Sequence, residues 1–162
     1  MKILTFAILA SLALGIITQN AALAADKETP AMQAKRVAKE IFAPGVPGIL
    51  DRKIHADGTR QVAFLYGKTL YTVLVPKDES RLTFFVRPDG SGNASTEIVT
   101  DQGTDGTANT GSGPTGAGKY FNNAVGGPGL TMGPENAAHW QARYETALAD
   151  ACAFLDGRKS NS

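Results

Sequence analysis

The first regular hydrophobic pattern of the chain is helical. After Thr29 and Pro30, apolar residues recur at a spacing of three and four: Ala34, Val37, Ala38, Ile41 and Phe42. Thr29 suits an N-cap, and Pro30 suits the first helical position because its missing amide needs no acceptor there. Pro44 disfavours a helical residue before it. The pattern therefore predicts an amphipathic helix that begins at Pro30 and ends before Pro44.

Beyond this helix the hydrophobic period changes to two, which is typical of β-strands. Four strands are predicted, over residues 49–56, 61–66, 70–75 and 82–86, and residues 96–100 form a candidate fifth. Turn sequences such as Asp57-Gly58 separate them. The segment 70–75 is apolar at nearly every position, as in a strand that is covered on both faces. The short connections predict an antiparallel meander of four to five strands.

A glycine-rich segment follows the strands. Residues 103–133 contain ten glycines among 31 residues and few large apolar side chains. Such a composition cannot bury enough apolar surface to form a core of its own. We therefore expect a long surface loop or a partly disordered segment here.

The C-terminal part carries a second helical stripe. It follows Pro134 and consists of Trp140, Tyr144, Leu148, Cys152 and Leu155, reinforced by Ala147 and Ala151. Gly157 is predicted to end this helix. The large residues of the stripe are expected to pack on the meander through Val62, Phe64, Leu74 and Phe84. Two amphipathic helices that flank an antiparallel meander predict a single α+β domain over residues 29–157, with a disordered tail at 158–162.

The beginning of the chain is typical of a signal peptide. Lys2 precedes a largely apolar run over residues 3–17, and Ala22-Leu23-Ala24 has the small-x-small pattern of a cleavage site. The run is shorter than the about 20 apolar residues that a membrane span requires. We predict cleavage after Ala24, a flexible leader over 25–28, no membrane span after cleavage, and a periplasmic or secreted protein.

Charge and cysteine content narrow the choice of partner and source. The chain has 16 basic and 15 acidic side chains, and removal of Lys2 with the signal peptide leaves equal numbers. A neutral chain lacks the broad basic surface by which proteins bind nucleic acid, so we expect no such partner. Cys152 is the single cysteine. It cannot form an intramolecular disulfide, which suits bacterial export better than a eukaryotic secretory route.

One segment partly matches a calcium-binding loop. Asp101 and Asp105 are four residues apart, Gly106 takes the position of the turn glycine, and Asn109 falls at the ninth position. The third ligand is missing, and Ser112 stands where a bidentate glutamate is expected. The hypothesis is a weak calcium site with Asp101, Asp105 and Asn109 as ligands. The alternative is ordinary turn chemistry.

Other candidate motifs are weaker. Residues 113–119 match the first seven positions of a phosphate-binding loop, but Tyr120 replaces the hydroxyl that would bind magnesium. Glu135 and His139 lie one helical turn apart, as an acid–base pair would, although this spacing is common on any polar helix face. Cys152 lies on the apolar stripe and is expected to be an inert core residue. No catalytic or cofactor-binding residue is assigned on this basis.

The sequence favours a small exported binding or interaction domain without catalysis, whose partner is an unknown protein or small ligand of the cell envelope. Two alternatives stay open: a calcium-stabilised exported domain that uses Asp101 and Asp105, and an envelope hydrolase that uses Glu135 and His139. A binding domain needs an exposed apolar patch, whereas an enzyme needs a pocket with converging polar groups. A calcium protein needs converging carboxylates.

Overall fold

The structure is a computed structural model that describes residues 28–90, 96–113, 120–122 and 134–159. The signal peptide predicted over residues 1–24, most of the leader, most of the phosphate-loop match, and the end of the chain lie outside these residues. No helix in the described part of the chain is both long and apolar enough to cross a membrane.

The fold is α+β, with two helices and one antiparallel sheet. In chain order the elements are α1 (Pro30–Glu40), β1 (Ile49–Ile54), β2 (Arg60–Tyr66), β3 (Thr69–Val75), β4 (Arg81–Arg87), β5 (Glu97–Gln102), β6 (Thr110–Ser112), β7 (Tyr120–Asn122) and α2 (Pro134–Lys159), with a short 3-10 turn at Pro88–Gly90. The strands lie in the sheet in the order in which they occur in the sequence, and each pairs antiparallel with the next. The predicted meander is therefore confirmed as an architecture.

The number of strands differs from the prediction of four to five, because β6 and β7 lie inside the segment predicted as a glycine-rich loop. Glycine has low strand propensity, so β6 carries no hydrophobic alternation to reveal it. Its central residue is Gly111, where a Cβ atom would stand 2.1 Å from Cδ2 of Trp140. The glycine is required because the indole lies directly on the strand.

The core fills one face of the sheet. Its buried strand residues include Val62, Phe64, Tyr71, Val73, Leu82, Phe84 and Val99. On the helix side it contains the predicted stripe of α2, since Trp140, Tyr144, Leu148 and Leu155 are all fully buried. The prediction that Leu74 belongs to this core is wrong. Leu74 is only half-buried, because in β3 its neighbours Val73 and Val75 point to the helix face and are buried.

Both helices contribute to this same core, so the sheet is not flanked by one helix on each side. Helix α1 packs chiefly on α2, and its buried residues Ala34, Val37 and Ala38 join the same hydrophobic cluster. Consequently β3 is fully buried on one face only; Leu70 and Thr72 on the other face are half-buried.

The structure confirms the predicted start of α1 but not the predicted end of α2. Thr29 caps α1 as predicted, and its hydroxyl accepts a hydrogen bond from the Met32 amide at 3.3 Å. Gly157 does not end α2, which continues to Lys159. A glycine that terminates a helix adopts a positive φ, and Gly157 is not among the positive-φ glycines of the described residues. Within a helix, glycine is tolerated at a cost of about 1 kcal/mol.

Candidate functional site

The residues of the calcium hypothesis lie at the junction between β5 and the turn that leads to β6. Asp101 is fully buried, and its carboxylate accepts hydrogen bonds from the amides of Asp105 and Gly106, at 3.2 and 2.9 Å. The hydroxyl of Tyr144 donates to the same carboxylate at 2.6 Å. Burial raises the pKa of Asp101 above its ordinary value, and these three hydrogen bonds oppose that rise. Both oxygens of Asp101 therefore hold the turn and attach it to α2.

The other two predicted ligands also bond to the backbone of this turn. A carboxylate oxygen of Asp105 accepts from the Thr107 amide at 2.9 Å, and the side-chain oxygen of Asn109 accepts from the Gln102 amide. Among the described residues, no group of three or more histidine, cysteine, aspartate or glutamate side chains could hold a metal ion. The calcium site stays a prediction, and ordinary turn chemistry accounts for all three side chains.

A second side chain of α2, Gln141, also holds this turn by hydrogen bonds to its backbone. The amide of Gln141 donates to the carbonyl of Gly106 at 2.9 Å and accepts from the Ala108 amide at 2.8 Å. Gln141 lies off the apolar stripe of α2, a position at which helical spacing alone predicts a side chain that faces solvent. A glutamine that bonds to an irregular loop leaves no periodic signal in the sequence.

The hydrolase hypothesis required Glu135 and His139 to act together. Both lie on α2, but the side chain of Glu135 lies outside the residues whose burial is described. The His139 ring packs edge-on against Trp140 with 5.0 Å between ring centroids. Its Nε2 atom is buried and has no hydrogen-bond partner among the described residues. Neither observation brings a second polar group to His139.

Cys152 is a buried member of the core, 5% exposed. Burial raises the pKa of its thiol to about 11, and the carboxylates of Glu28 and Asp156 add to this effect against the opposing Arg36. Since a reactive cysteine needs thiolate character, the prediction that Cys152 is an inert core residue agrees with its surroundings.

A pocket of about 170 Å³ between α2 and the ends of β3, β4 and β5 contains polar groups that the sequence did not identify. Arg143 donates two hydrogen bonds to the buried carboxylate of Glu97, the one from Nε at 2.8 Å, and the Tyr71 hydroxyl donates to Asp150. Glu97 and the apolar Val99 lie on the same buried face of β5. An acidic residue on an apolar strand face is the one feature of the sequence that could have indicated the buried Glu97–Arg143 pair. These groups bond to one another and fasten α2 to the sheet.

Strand β1 forms the other end of the described sheet. Among the described residues β1 pairs with β2 alone, and five of its six residues are exposed. Leu50 is an extra residue in a β-bulge, because the register shifts between Ile49 and Asp51. The large exposed hydrophobic side chains concentrate here: Leu50, Ile54, Leu65 and Tyr66 lie on β1 and β2, and Met32 lies on α1. Strand β1, together with these exposed side chains of β1 and β2, is called the β1 edge below.

A pocket of about 260 Å³ adjoins the β1 edge on the helix side. Phe42 and Val62 contribute apolar surface to it, and Arg52 and Arg60 contribute positive charge. The Arg60 guanidinium lies 4.8 Å from the centre of the Phe42 ring and pairs with Glu79 at 2.9 Å. The pocket thus has an apolar floor and a basic rim.

Arg52 is held beside the C-terminal end of α1. Its guanidinium donates to the carbonyls of Phe42 and Ala43, each at 3.0 Å. Carbonyl groups that follow a helix carry partial negative charge, so they stabilise a cation at this place. This contact fixes the direction of the Arg52 side chain along the wall of the pocket.

Comparisons of the chain with protein-family models, with curated protein sequences and with solved structures found no match.

Proposed function

We propose that the protein is a non-catalytic interaction domain of the cell envelope that binds an extended segment along β1. The observation that carries the proposal is the β1 edge itself: a strand whose outer backbone groups have no described partner, beside four large exposed hydrophobic side chains. An exposed sheet edge can add a further strand, since the backbone groups along it are ready to form a new ladder. Export rests on the signal peptide predicted over residues 1–24.

The exposed side chains support binding rather than chance exposure. Single apolar residues on a surface are ordinary, but here four of the five large exposed hydrophobic side chains found among the described residues lie on two adjacent strands, and such a concentration favours an interaction site. Leu50 is 64% exposed and Ile54 is 76% exposed, although both belong to a strand. A strand laid along β1 would cover them, and the adjoining pocket would receive side chains from its helix-facing side.

Site-specific photo-crosslinking tests the proposal in cells that produce the full chain. A photoreactive amino acid at position 54 should yield covalent adducts of higher mass, because an added strand lies directly against Ile54. The matched control is the same amino acid at position 32, since Met32 is also apolar and 57% exposed but lies on α1. Equal adducts from both positions, or none from position 54, would contradict the proposal.

A further inference from the structure

The direction of the β1 backbone groups follows from the hairpin with β2. The His55 amide donates to the Thr59 carbonyl at 2.9 Å. In an antiparallel pair, hydrogen-bonded residue pairs alternate with pairs that are not hydrogen-bonded. The pairs Lys53–Gln61 and Asp51–Ala63 are therefore the bonded ones. The backbone groups of Arg52 and Ile54 consequently point to the outer side of β1, where a new strand would bond.

The β1 edge carries both signs of charge, in an order that complements itself. Asp51 and Lys53 lie on either side of Arg52, and Leu50 and Ile54 lie one step further out. If two β1 strands run antiparallel with their Arg52 residues opposite one another, each Asp51 faces a Lys53 and each Leu50 faces an Ile54. Among the described residues no ion pair involves Asp51 or Lys53, so both charges are available for this purpose.

We propose that the occupant of the β1 edge is a second copy of this chain, paired antiparallel about Arg52 to form one continuous sheet. This inference rests on the proposed function, since it names the partner of the same edge. A twofold axis perpendicular to the sheet relates the copies, so each contact occurs twice. Opposite charges and apolar pairs that face one another across strands stabilise a strand pair.

The neighbouring registers place like charges at the centre. A shift that centres the pair on Asp51 puts two aspartates opposite one another, and a shift that centres it on Lys53 puts two lysines opposite one another. Like charges directly opposite one another destabilise a strand pair. The register about Arg52 is the one that pairs Asp51 with Lys53 on both sides.

The two Arg52 residues face one another in this register, and the structure limits the cost. Each guanidinium already bonds to the carbonyls of Phe42 and Ala43, which lie after α1 on its own copy. These hydrogen bonds hold each guanidinium near the end of α1, and the partial negative charge of the carbonyls partly compensates its positive charge.

The pocket beside the β1 edge gives the second copy an apolar anchor. Ile54 lines this pocket together with Phe42 and Val62. Leu50 of the second copy, opposite Ile54, would lie beside this pocket of about 260 Å³. Because strands of six residues make a small interface, the dimer should be weak and should depend on protein concentration.

Charge-swap variants of the purified mature chain test the inference by analytical ultracentrifugation between about 10 µM and about 1 mM, a range suited to a small interface. The wild type should shift from monomer towards dimer as its concentration rises. Asp51→Lys and Lys53→Asp should each abolish the shift, because like charges then face one another. The double variant should restore it, and so should an equimolar mixture of the two single variants, which can pair only with one another.

The control variant Lys35→Glu changes an exposed charge on α1 and should leave the association unchanged. Circular dichroism should show that every variant is folded, since all three positions are exposed. A wild type that stays monomeric throughout, or a double variant and a mixture that both stay monomeric, would overturn the inference. If the purified chain is monomeric while position 54 still forms adducts with another protein, the dimer is excluded and the proposed function stands. If neither association nor adducts occur, both fail.

Discussion

The strands β1 and β3 differ in what their neighbours cover, not in the kind of residues they contain. In β3, Tyr71, Val73 and Val75 are buried under the helices, and strands pair with it on both sides. In β1, Leu50 and Ile54 are equally apolar but are mostly exposed, and only one neighbouring strand is described for β1. The burial of a hydrophobic residue is therefore decided by the position of its strand in the sheet.

The residues around α2 stabilise the fold, whereas β1 is the region for which we propose binding. The polar contacts follow the same division. Asp101, Glu97 and Gln141 all connect α2 with the β5 side of the sheet, whereas Arg52 is the one β1 residue for which a side-chain hydrogen bond is described. Changes at α2 should lower stability, and changes at β1 should alter association instead.

The largest expected effect comes from one substitution made in both regions. Leu148→Ala removes a fully buried side chain from the core and should lower the free energy of unfolding by about 2–5 kcal/mol. Leu50→Ala removes the same atoms from a residue that is 64% exposed, and should change it by less than about 0.5 kcal/mol. Urea unfolding at low protein concentration measures both. Similar losses of unfolding free energy in the two variants would mean that Leu50 stabilises the fold as much as Leu148 does, which contradicts the comparison.

Much of this division could be predicted from the sequence, but only where residues repeat with a period. The cap at Thr29 and the stripe from Trp140 to Leu155 come from local chemistry and helical spacing, and the structure confirms them. Strand β6 could not be predicted, because its central residue is a glycine. Gly111 is required by the close approach of Trp140, a residue far away in the sequence, and local propensity does not indicate such a contact.

The candidate site was less predictable than the fold. The position of a strand at a sheet edge depends on the order of all strands, and alternation within β1 does not contain that information. The pairs Glu97–Arg143 and Tyr71–Asp150 likewise join elements that are far apart in the sequence. A binding domain requires exposed apolar side chains, but their place in this fold follows only from the order of the strands.

The next expected effect is a loss of stability in alkaline solution that arises in the α2 region. Burial raises the pKa values of Tyr71 and Tyr144 above the ordinary value of 10.0, and the neighbouring Asp150 and Asp101 raise them further. Above about pH 10 the unfolded chain loses these two protons while the folded chain keeps them. The stability that they contribute is complete below this pH. It then falls by about 1.4 kcal/mol per pH unit for each tyrosine as the pH rises towards the folded pKa values.

Urea unfolding at about pH 9 and about pH 11, on either side of the ordinary tyrosine pKa, measures this loss. Tyr144→Phe should make the dependence on pH shallower, although it also removes a hydrogen bond to Asp101. The matched control is Tyr66→Phe, which changes the same kind of side chain at the β1 edge. A pH dependence that is the same in wild type and Tyr144→Phe would show that this buried hydroxyl does not contribute.

The smallest expected effect concerns calcium, because the predicted loop has few ligands. The turn is already built: Gly106 has a φ of +91°, and a Cβ there would stand 2.5 Å from the Ala31 amide nitrogen. A weak extracellular-type site, with a dissociation constant on the order of 10⁻⁴–10⁻³ M, would add about 0.4–1.4 kcal/mol of stability in about 1 mM calcium. Thermal melts in calcium and in excess chelator measure this difference. Asp105→Asn should remove it while leaving the buried hydrogen bonds of Asp101 in place, since Asp105 is exposed. Identical melting curves of the wild type in both solutions would mean that protein hydrogen bonds alone hold the turn, which would then belong wholly to the stabilising region beside α2.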